Sequence, residues 1–371
     1  MGVDWAAEGL LDGLEGEERQ SRVELLETLV TEGCSLDDIK RADAEGQLLF
    51  MLAGRAIDVE IKFTFDELVE RSGIDEELVA RLVRAQGFPL LREGRAYTDT
   101  DVTTAKAAKD FLDAGLPVED LLTVSRLLGR GFEQAAQAMR GAAMRMVLEP
   151  GLSERELATR YAHAARALTP MTEPLLGHLL RLHLSKSVQT EVVGAEERQT
   201  GRLPGARPVV VGFADLVGFT RLGEEVPPDE LGAVAGRLEE MVLDLIDPPV
   251  RFVKTIGDAA MLVSPEGEPL LETTLALVDA ADSEGADFPQ LRAGLAAGEA
   301  LSRAGDWFGR PVNLASRLTA IARPASVLTT DKLHEMAPDG YRWSKAGIRA
   351  IKGIPDPVPL WRVRRPEPEE V

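Results

Sequence analysis

The sequence predicts an α+β chain in two parts: an all-helical N-terminal domain, then a domain in which strands and helices alternate. Three observations carry this. Residues 17–191 keep helical apolar spacing, with Gly and Pro between periodic stretches as at Gly87-Phe-Pro89, Gly115-Leu-Pro117 and Glu149-Pro-Gly151. At Val209 the composition turns abruptly to β-branched residues. Between the two lies a polar segment with three Gly and two Pro, in which no apolar period survives. The boundaries read as 1–193 for a helical domain, 194–208 for a linker and 209–371 for the second domain. A chain of 371 residues is long enough for two cores of ordinary size.

Charge and cysteine usage narrow the setting. A net charge of −20 and a pI near 4.8 argue against a general binder of nucleic acid or of membrane surfaces. Such a protein must neutralise any phosphate locally, with metal ions and a few Lys and Arg. The single cysteine, Cys34, excludes an internal disulfide framework and fits a reducing cytoplasm. The first residues lack the basic-then-apolar order of a signal sequence, and no run approaches the ~18 apolar residues that span a bilayer. A cytoplasmic protein without a membrane segment is expected.

Along the N-terminal part, residues 1–16 are acidic and Gly-rich and read as a frayed end. Val23, Leu25, Leu26, Leu29 and Val30 then form an apolar stripe. Thr64-Phe-Asp-Glu67 and Ser153-Glu-Arg-Glu156 have the reciprocal spacing of a capping box. Six to nine short helices in one compact domain follow from these punctuation marks. Residues 152–193 read as a longer helical stretch broken near Pro170 and Pro174, with a leucine-rich second half.

Residues 63–101 admit a second reading, that of a DNA-binding regulator. Leu68, Val69, Gly73, Ile74, Leu78, Val79 and Leu82 have helix-turn-helix spacing, and Tyr97-Thr-Asp-Thr-Asp101 suits a step from a wing into a helix. Asp75-Glu76-Glu77 opens the would-be recognition helix, where bases and phosphates require Arg, Asn or Gln. The charge is wrong for DNA, and a helical pair buried in a regulatory domain fits better.

In the second domain, residues 209–220 read Val-Val-Val-Gly-Phe-Ala-Asp-Leu-Val-Gly-Phe-Thr. This is a buried strand that delivers Asp215 to a surface, followed by a turn at Gly218 that frees backbone N–H groups for an anion. Pro227-Pro228 starts a helix with Leu231, Ala235, Leu238, Val242 and Leu245 inward. Two short apolar strands follow, joined at Gly257-Asp258 as a hairpin. A helix over 270–281, a strand over 291–297, a helix over 311–322 and a strand over 326–330 complete the alternation, with short strands and turns beyond. The β-α-β-β-α-β order predicts a ferredoxin-like antiparallel core with helices on one face.

Neighbouring strands would hold Asp215 and Asp258 close together. Two carboxylates at one spot repel unless a cation lies between them, and Mg²⁺ or Mn²⁺ with a phosphate ligand suits an all-oxygen site.

Phe213-Ala-Asp-Leu-Val-Gly-Phe-Thr220, Lys254-Thr-Ile-Gly-Asp258 and Asp306-Trp-Phe-Gly-Arg-Pro-Val-Asn-Leu-Ala-Ser-Arg317 together resemble the catalytic domain of class III nucleotidyl cyclases. The likeness runs over about residues 207–364, and three motifs in the right order carry it. It implies a lyase that cyclises ATP, with two Mg²⁺ or Mn²⁺ ions per active site held by Asp215 and Asp258. Phe219 and Thr220 fall in the turn that binds substrate phosphate. Lys254 and Asp306 match the pair that reads the purine. An ammonium suits the adenine N1 acceptor and a carboxylate suits its N6 donor, so the pair favours ATP over GTP. Asn313 and Arg317, four apart on one helix, match the residues that orient the ribose and stabilise charge on the α-phosphate. Lys352 matches a lysine on the terminal phosphates.

In that family the carboxylates and the base-reading residues of one site come from different subunits, so a chain carrying both sets implies a homodimer with two equivalent sites. Ala297 stands where many members have His and Glu299 where some mammalian domains have Arg, departures that bear on rate rather than on reaction.

The whole chain resembles soluble actinobacterial cyclases whose N-terminal domain makes activity pH-sensitive. Three of the four histidines, His163, His178 and His183, fall in the helical stretch before the linker. They are the candidate regulatory residues, since imidazole changes charge between about pH 5 and 8. The sequence leaves room for a small-molecule ligand of the N-terminal domain. A catalytically silent nucleotide-binding sensor is a further alternative, opposed by the intact set of Asp215, Asp258, Lys254, Asp306, Asn313 and Arg317.

Overall fold

A computed structural model describes residues 3–57, 60–190, 205–285, 287–337 and 340–365. The chain separates into two compact units, Met1–Val192 and Val193–Val371. Most of the expected linker, residues 194–204, lies outside the described residues.

The first unit is helical: α1 (Gly16–Thr31), α2 (Leu36–Ala44), α3 (Met51–Ile57), α4 (Phe65–Ser72), α5 (Glu76–Ala85), α6 (Asp99–Asp113), α7 (Val118–Val147) and α8 (Glu154–Thr190). Both expected capping boxes close. Thr64 accepts from the N–H of Glu67 while Glu67 accepts from that of Thr64, and Ser153 and Glu156 do the same. The exception to an all-helical unit is a short antiparallel ribbon, β1 (Phe63–Thr64) against β2 (Arg95–Tyr97). It is the wing of the helix-turn-helix-like segment. Asp75 caps α5 through the N–H groups of Glu77 and Leu78, leaving an exposed acidic front, so the charge argument against DNA stands on this geometry as well.

Three expectations for this unit are corrected. The N-terminus is not frayed: Trp5, Leu10 and Leu11 are buried with Leu25, Leu26 and Leu29 of the predicted stripe, because three large apolar groups outweigh the acidic residues around them. Nor are the helices all short. At 30 residues, α7 is about 45 Å long at 1.5 Å per residue. It joins two separate cores, with Leu121 and Leu122 in the one built on α4–α6 and Val147 in the one built on α1–α3 and α8. Finally, α8 runs unbroken through Pro170 and Pro174. The prolines stand four apart, so the N–H that Pro174 lacks would have bonded the carbonyl of Pro170, and the disruption is confined to one face. The Thr169 hydroxyl donates to the Ala165 carbonyl and that of Thr172 to the Thr169 carbonyl, binding backbone in the same turns.

The second unit is built on β3 (Arg207–Leu216), followed by α9 (Phe219–Glu225), α10 (Pro228–Leu245), β4 (Arg251–Ile256), β5 (Ala259–Ser264), α11 (Gly267–Ser283), β6 (Leu291–Arg303), β7 (Asp306–Phe308), α12 (Arg310–Ile321), β8 (Ser326–Thr330), α13 (Asp331–Met336), β9 (Arg342–Arg349) and β10 (Val358–Arg364). The sheet order is β4-β5-β3-β6-β8-β10-β9, with β7 folded back on the end of β6. Along β4-β5-β3-β6 each strand is antiparallel to its neighbour, and the four form the ferredoxin-like core; β8 joins β6 in parallel.

Helices cover both faces of this sheet rather than one. Val210, Ala214 and Leu216 pack with Leu238 and Met241 of α10 and Leu270 and Leu277 of α11. Val209, Val211 and Phe213 face the other way and pack with Leu314, Ala315 and Leu318 of α12. Strand β3 is therefore apolar on both faces, as its unbroken run of small and branched residues requires. No helix among the described residues is long and apolar enough to cross a membrane.

Candidate active site

Strand pairing sets the geometry of the carboxylates. In the ladders, Asp215 lies opposite Ala259 of β5 and opposite Arg292 of β6. The β4–β5 hairpin turns through Gly257 at φ +63° and Asp258, a two-residue connection that a side-chain-free residue accommodates. The N–H of Leu216 donates to the Asp258 carbonyl at 3.1 Å and that of Val217 to Gln290 at 2.8 Å, so the backbone after Asp215 is fixed on both sides. Asp215 and Asp258 come together as expected. Burial first, and then the charge of Asp215 beside it, push the Asp258 carboxyl above the usual carboxylate range. The chain then turns at Gly218, φ +78°, and places Phe219 and Thr220 at the start of α9.

Two crowded carboxylates present hard oxygen donors, and their mutual repulsion is what a divalent cation relieves, so the pair fits Mg²⁺ or Mn²⁺. No group of three or more acidic, His or Cys side chains that could hold a metal occurs among the described residues. Mg²⁺ ordinarily keeps several waters and takes only one or two carboxylates together with substrate phosphates.

The second cluster is Lys254 of β4 with Asp306 of β7. The Lys254 ammonium donates to Oδ2 of Asp306, and the N–H of Trp307 donates to Oδ1 at 2.9 Å. Burial alone would raise the Asp306 carboxyl, but these bonds and the lysine charge outweigh it and hold the carboxyl below its ordinary range. Donor and acceptor thus lie side by side.

The third cluster sits on α12. This helix lies tight on β6 because Gly294 leaves room for its backbone, and the Thr319 hydroxyl ties it to the carbonyl of Phe213 at 3.2 Å. Asn313 is exposed, one turn from the half-buried Arg317. A buried nitrogen of Arg317, Nη1, has no hydrogen-bond partner. Such a group is costly to leave unpaired, and a phosphate oxygen would satisfy it. Lys352 and Gly353 form the tip of a turn closed by the Ile354 N–H on the Ile351 carbonyl at 2.9 Å. A Cβ at Gly353 would fall 2.7 Å from Arg317 Nη1, so the guanidinium rests on that turn and Lys352 adjoins it. Among the described residues, no hydrogen bond or ion pair links Asp215 or Asp258 to Lys254, Arg317 or Lys352.

The motifs did not single out Arg292. Its Nε and Nη2 donate to Asp215 Oδ2 at 2.7 and 2.6 Å, and Nη1 donates to the Ala320 carbonyl at 3.2 Å. The available signal was one charge in the otherwise apolar run Leu291-Arg-Ala-Gly-Leu-Ala-Ala297. The three candidate regulatory histidines, His163, His178 and His183, all lie on α8 and are exposed.

Comparison with known proteins gives the family. Residues 3–188 match the adenylate cyclase regulatory domain family, and residues 204–363 match the adenylate and guanylate cyclase catalytic domain family. The chain is 43% identical over 366 residues to the pH-sensitive adenylate cyclase MT1302 of Mycobacterium tuberculosis, covering 96% of this chain and 91% of that protein. It is 30% identical over 289 residues to an adenylate cyclase of Streptomyces coelicolor, covering 76% and 74%. An adenylate cyclase of Streptomyces griseus is 30% identical over 287 residues, covering 76% and 70%. With both halves matched and one likeness running nearly end to end, the chain belongs to the class III adenylate cyclases and is an adenylate cyclase with an N-terminal regulatory domain.

Proposed function

We propose that this enzyme converts ATP into 3′,5′-cyclic AMP and pyrophosphate at two equivalent sites shared between the subunits of a homodimer. Catalysis is assigned to residues 209–371 and control to residues 1–193, acting through the linker 194–208. The observation that carries the reading is the Asp215–Asp258 pair, two crowded carboxylates at the ends of paired strands.

In the reaction the ribose 3′-oxygen attacks the α-phosphorus in line. The new O–P bond forms as the bond to the pyrophosphate oxygen breaks, and the hydroxyl proton is lost. Asp215 and Asp258 would hold two Mg²⁺ or Mn²⁺ ions, which when bound supply the charge that lowers the pKa of the 3′-hydroxyl and binds the triphosphate. The partner's contribution would be the other two clusters. Lys254 donates to adenine N1 and Asp306 accepts from N6, and their contact in this chain supports the pairing of donor and acceptor. Asn313 orients the ribose. Arg317, with its unpartnered buried nitrogen, takes the charge that develops on the α-phosphate, and Lys352 takes the terminal phosphates. Phe219 and Thr220, after the turn at Gly218, line the phosphate side.

A shared site needs a dimer, and an outward-facing apolar pair supports one. Leu301 and Phe308 lie opposite each other in the β6–β7 ladder, yet are 39% and 53% exposed. Ile256, at the base of the hairpin that carries Asp258, is 52% exposed. Apolar groups exposed beside a catalytic cleft are what a second subunit covers.

Regulation by pH is assigned to His163, His178 and His183. What supports it is their place on one helix, the naming of a similar protein as pH-sensitive, and an apolar stripe beside His178 and His183. Leu175, Leu179 and Leu182, spaced along one face of α8, are 55%, 43% and 52% exposed. A surface packed over these leucines would favour neutral imidazoles, and acidification would charge them and loosen it. A cytoplasmic location is supported by the single cysteine and by the lack of a membrane-crossing helix among the described residues.

The test is direct. Purified full-length protein incubated with ATP and Mn²⁺ should yield 3′,5′-cyclic AMP and pyrophosphate in equal amounts, with GTP a much poorer substrate. A folded dimer that binds ATP without turnover would instead establish the silent sensor.

A further inference from the structure

We propose that the second unit carries a further binding site, for a small organic anion, in the cleft where the first turn of α12 meets the ends of β6 and β8. The cleft has a volume of about 590 Å³ and is bounded by Arg310, Pro311 and Leu314 of α12, by Thr330 and Lys332, and by Val358 at the start of β10. That is the size of an ordinary small-molecule site. None of the residues assigned above to ATP or metal lines it. The observation that carries the proposal is Thr330. It is 5% exposed, and its hydroxyl oxygen is buried with no hydrogen-bond partner. A buried hydroxyl left unpaired is costly. Thr330 is also the N-cap of α13, where a threonine normally accepts from the helix backbone, yet its side chain makes no such bond. Leu328 packs on the α12 side with Leu314, and strand alternation puts Thr330, two residues on, on that side as well. The hydroxyl therefore lies in the wall of the cleft, short of a partner.

The charges around it select an anion. Helix α12 starts at Gly309, which has no side chain to cap it, so the N–H groups of Arg310 and Val312 have no intrahelical partner and the positive end of the helix dipole faces the cleft. A Cβ at Gly309 would meet the Glu299 carbonyl at 2.8 Å, so glycine is what brings the helix start this close to β6. Arg310 and Lys332 add two cations, neither with a hydrogen-bond or ion-pair partner among the described residues. The two acids at the cleft are directed elsewhere. The β3–β6 register is continuous and Ala300 packs on the α12 side, so the Glu299 side chain beside it points to the opposite face. Oδ1 of Asp331 accepts from Nε1 of Trp361 at 2.7 Å. Pro311, Leu314 and Val358 supply an apolar wall. The ligand that fits is an oxyanion head, carboxylate or phosphate, on a small apolar body.

The experiment titrates full-length protein, free of nucleotide and metal, with benzoate, phenyl phosphate and neutral benzyl alcohol, following the heat of binding and the melting temperature. At least one anion should bind and raise the melting temperature, and whichever binds more tightly identifies the head group as carboxylate or phosphate. The alcohol should not bind. Arg310→Gln and Lys332→Gln should each weaken the anion about tenfold or more, the scale of one lost charge-assisted hydrogen bond. Thr330→Val separates a ligand contact from a structural one. Removing an unpaired buried hydroxyl should leave the melting temperature of the free protein at or above the native value while weakening the anion. A free Thr330→Val protein that melts well below the native one overturns the proposal, because the hydroxyl then serves the fold. Arg317→Ala controls for the nucleotide site: anion binding that is lost there and kept in the Arg310 and Lys332 variants places the anion with ATP and overturns the proposal. Native protein that binds neither anion, or binds the alcohol as well as the anions, overturns it too.

Discussion

Replacing Gly294 by alanine should damage catalysis through a helix rather than through any reacting group. A Cβ at this position would lie 2.4 Å from the Thr319 nitrogen, 2.6 Å from the Ala315 oxygen and 2.7 Å from the Leu318 Cβ. Two of those three atoms are backbone, so no side chain can swing aside. Contacts of this kind relax at about 3.5 Å, so α12 must retreat from β6 by about 1 Å. Overpacking of this sort costs about 1–3 kcal/mol. In a domain of this size each kcal/mol lowers the melting temperature by about 2–4 °C, so a drop of about 2–12 °C is expected. The same shift moves Asn313 and Arg317, and misplacing a reacting geometry by about 1 Å can cost about 10²-fold in rate. Calorimetry and initial rates of cyclic AMP formation at saturating ATP and Mn²⁺ measure both numbers. Gly298→Ala is the control. Its Cβ would meet the Pro311 ring at 3.4–3.6 Å, close to ordinary contact, and it should be tolerated. A Gly294→Ala enzyme that melts lower yet turns over at the native rate would refute the link between helix position and catalysis.

Four further outcomes are expected. Asp215→Ala and Asp258→Ala should each abolish metal-dependent activity with the dimer intact by sedimentation; full activity in either removes that residue from the site. Mixing an Asp215→Ala chain with an Arg317→Ala chain should restore activity, because the mixed dimer holds one site with both defects and one with neither. Heterodimers that form but stay inactive would contradict the shared geometry. For Asp306, whose carboxyl is held below its ordinary range, the stabilising contribution is present above the unfolded pKa of about 3.9 and is lost as pH falls through the lower folded value. The melting-temperature gap between native and Asp306→Asn protein should therefore hold from pH 7 to 5 and close only at more acid pH. Finally, activity from pH 5.5 to 8 should respond to substitution of His163, His178 and His183, with acid raising activity in the full chain. An isolated catalytic domain with the full-chain profile would place the sensing elsewhere.

What was legible in the sequence was local. Asp215, Asp258 and the Gly257 turn could be read because each is fixed by a few neighbouring residues: an apolar run that must be a strand, a glycine that must turn. The capping boxes at Thr64 and Ser153 were legible for the same reason. What escaped depends on partners far away in the chain. Nothing near Arg292 announces Asp215, 77 residues earlier; only the β3–β6 register pairs them. The second face of the sheet was hidden because β3 is apolar or small at every position from Val209 to Ala214, and such a run does not say how many helices cover it. Pro170 and Pro174 argued for a break by local rules, but a four-residue spacing puts both missing N–H groups on one face of the helix. Trp5, Leu10 and Leu11 were lost among acidic neighbours, although three large apolar groups suffice to tie down a terminus.

Helix α12 is where these long-range contacts converge. Its first turns carry Asn313 and its middle carries Arg317, the residues proposed to act on ribose and α-phosphate. Its backbone rests on Gly294 of β6, its Thr319 hydroxyl holds the Phe213 carbonyl of β3, and the carbonyl of Ala320 near its end receives Arg292. Phe213 is two residues from Asp215, and Arg292 binds Asp215 directly. The helix is therefore keyed to the same strand pair that presents Asp215. In a shared-site homodimer that carboxylate would serve one site while Asn313 and Arg317 of the same chain serve the other. A disturbance of either end is then felt at both sites, through contacts between β3, β6 and α12 that lie wholly within one subunit. For this reason Gly294→Ala should lower the rate of a mixed dimer even when it resides only on the chain that supplies Asp215 to the single intact site. A mixed dimer with Gly294→Ala on that chain, the Arg317→Ala chain, and an unchanged rate would show that the helix and the carboxylate move independently.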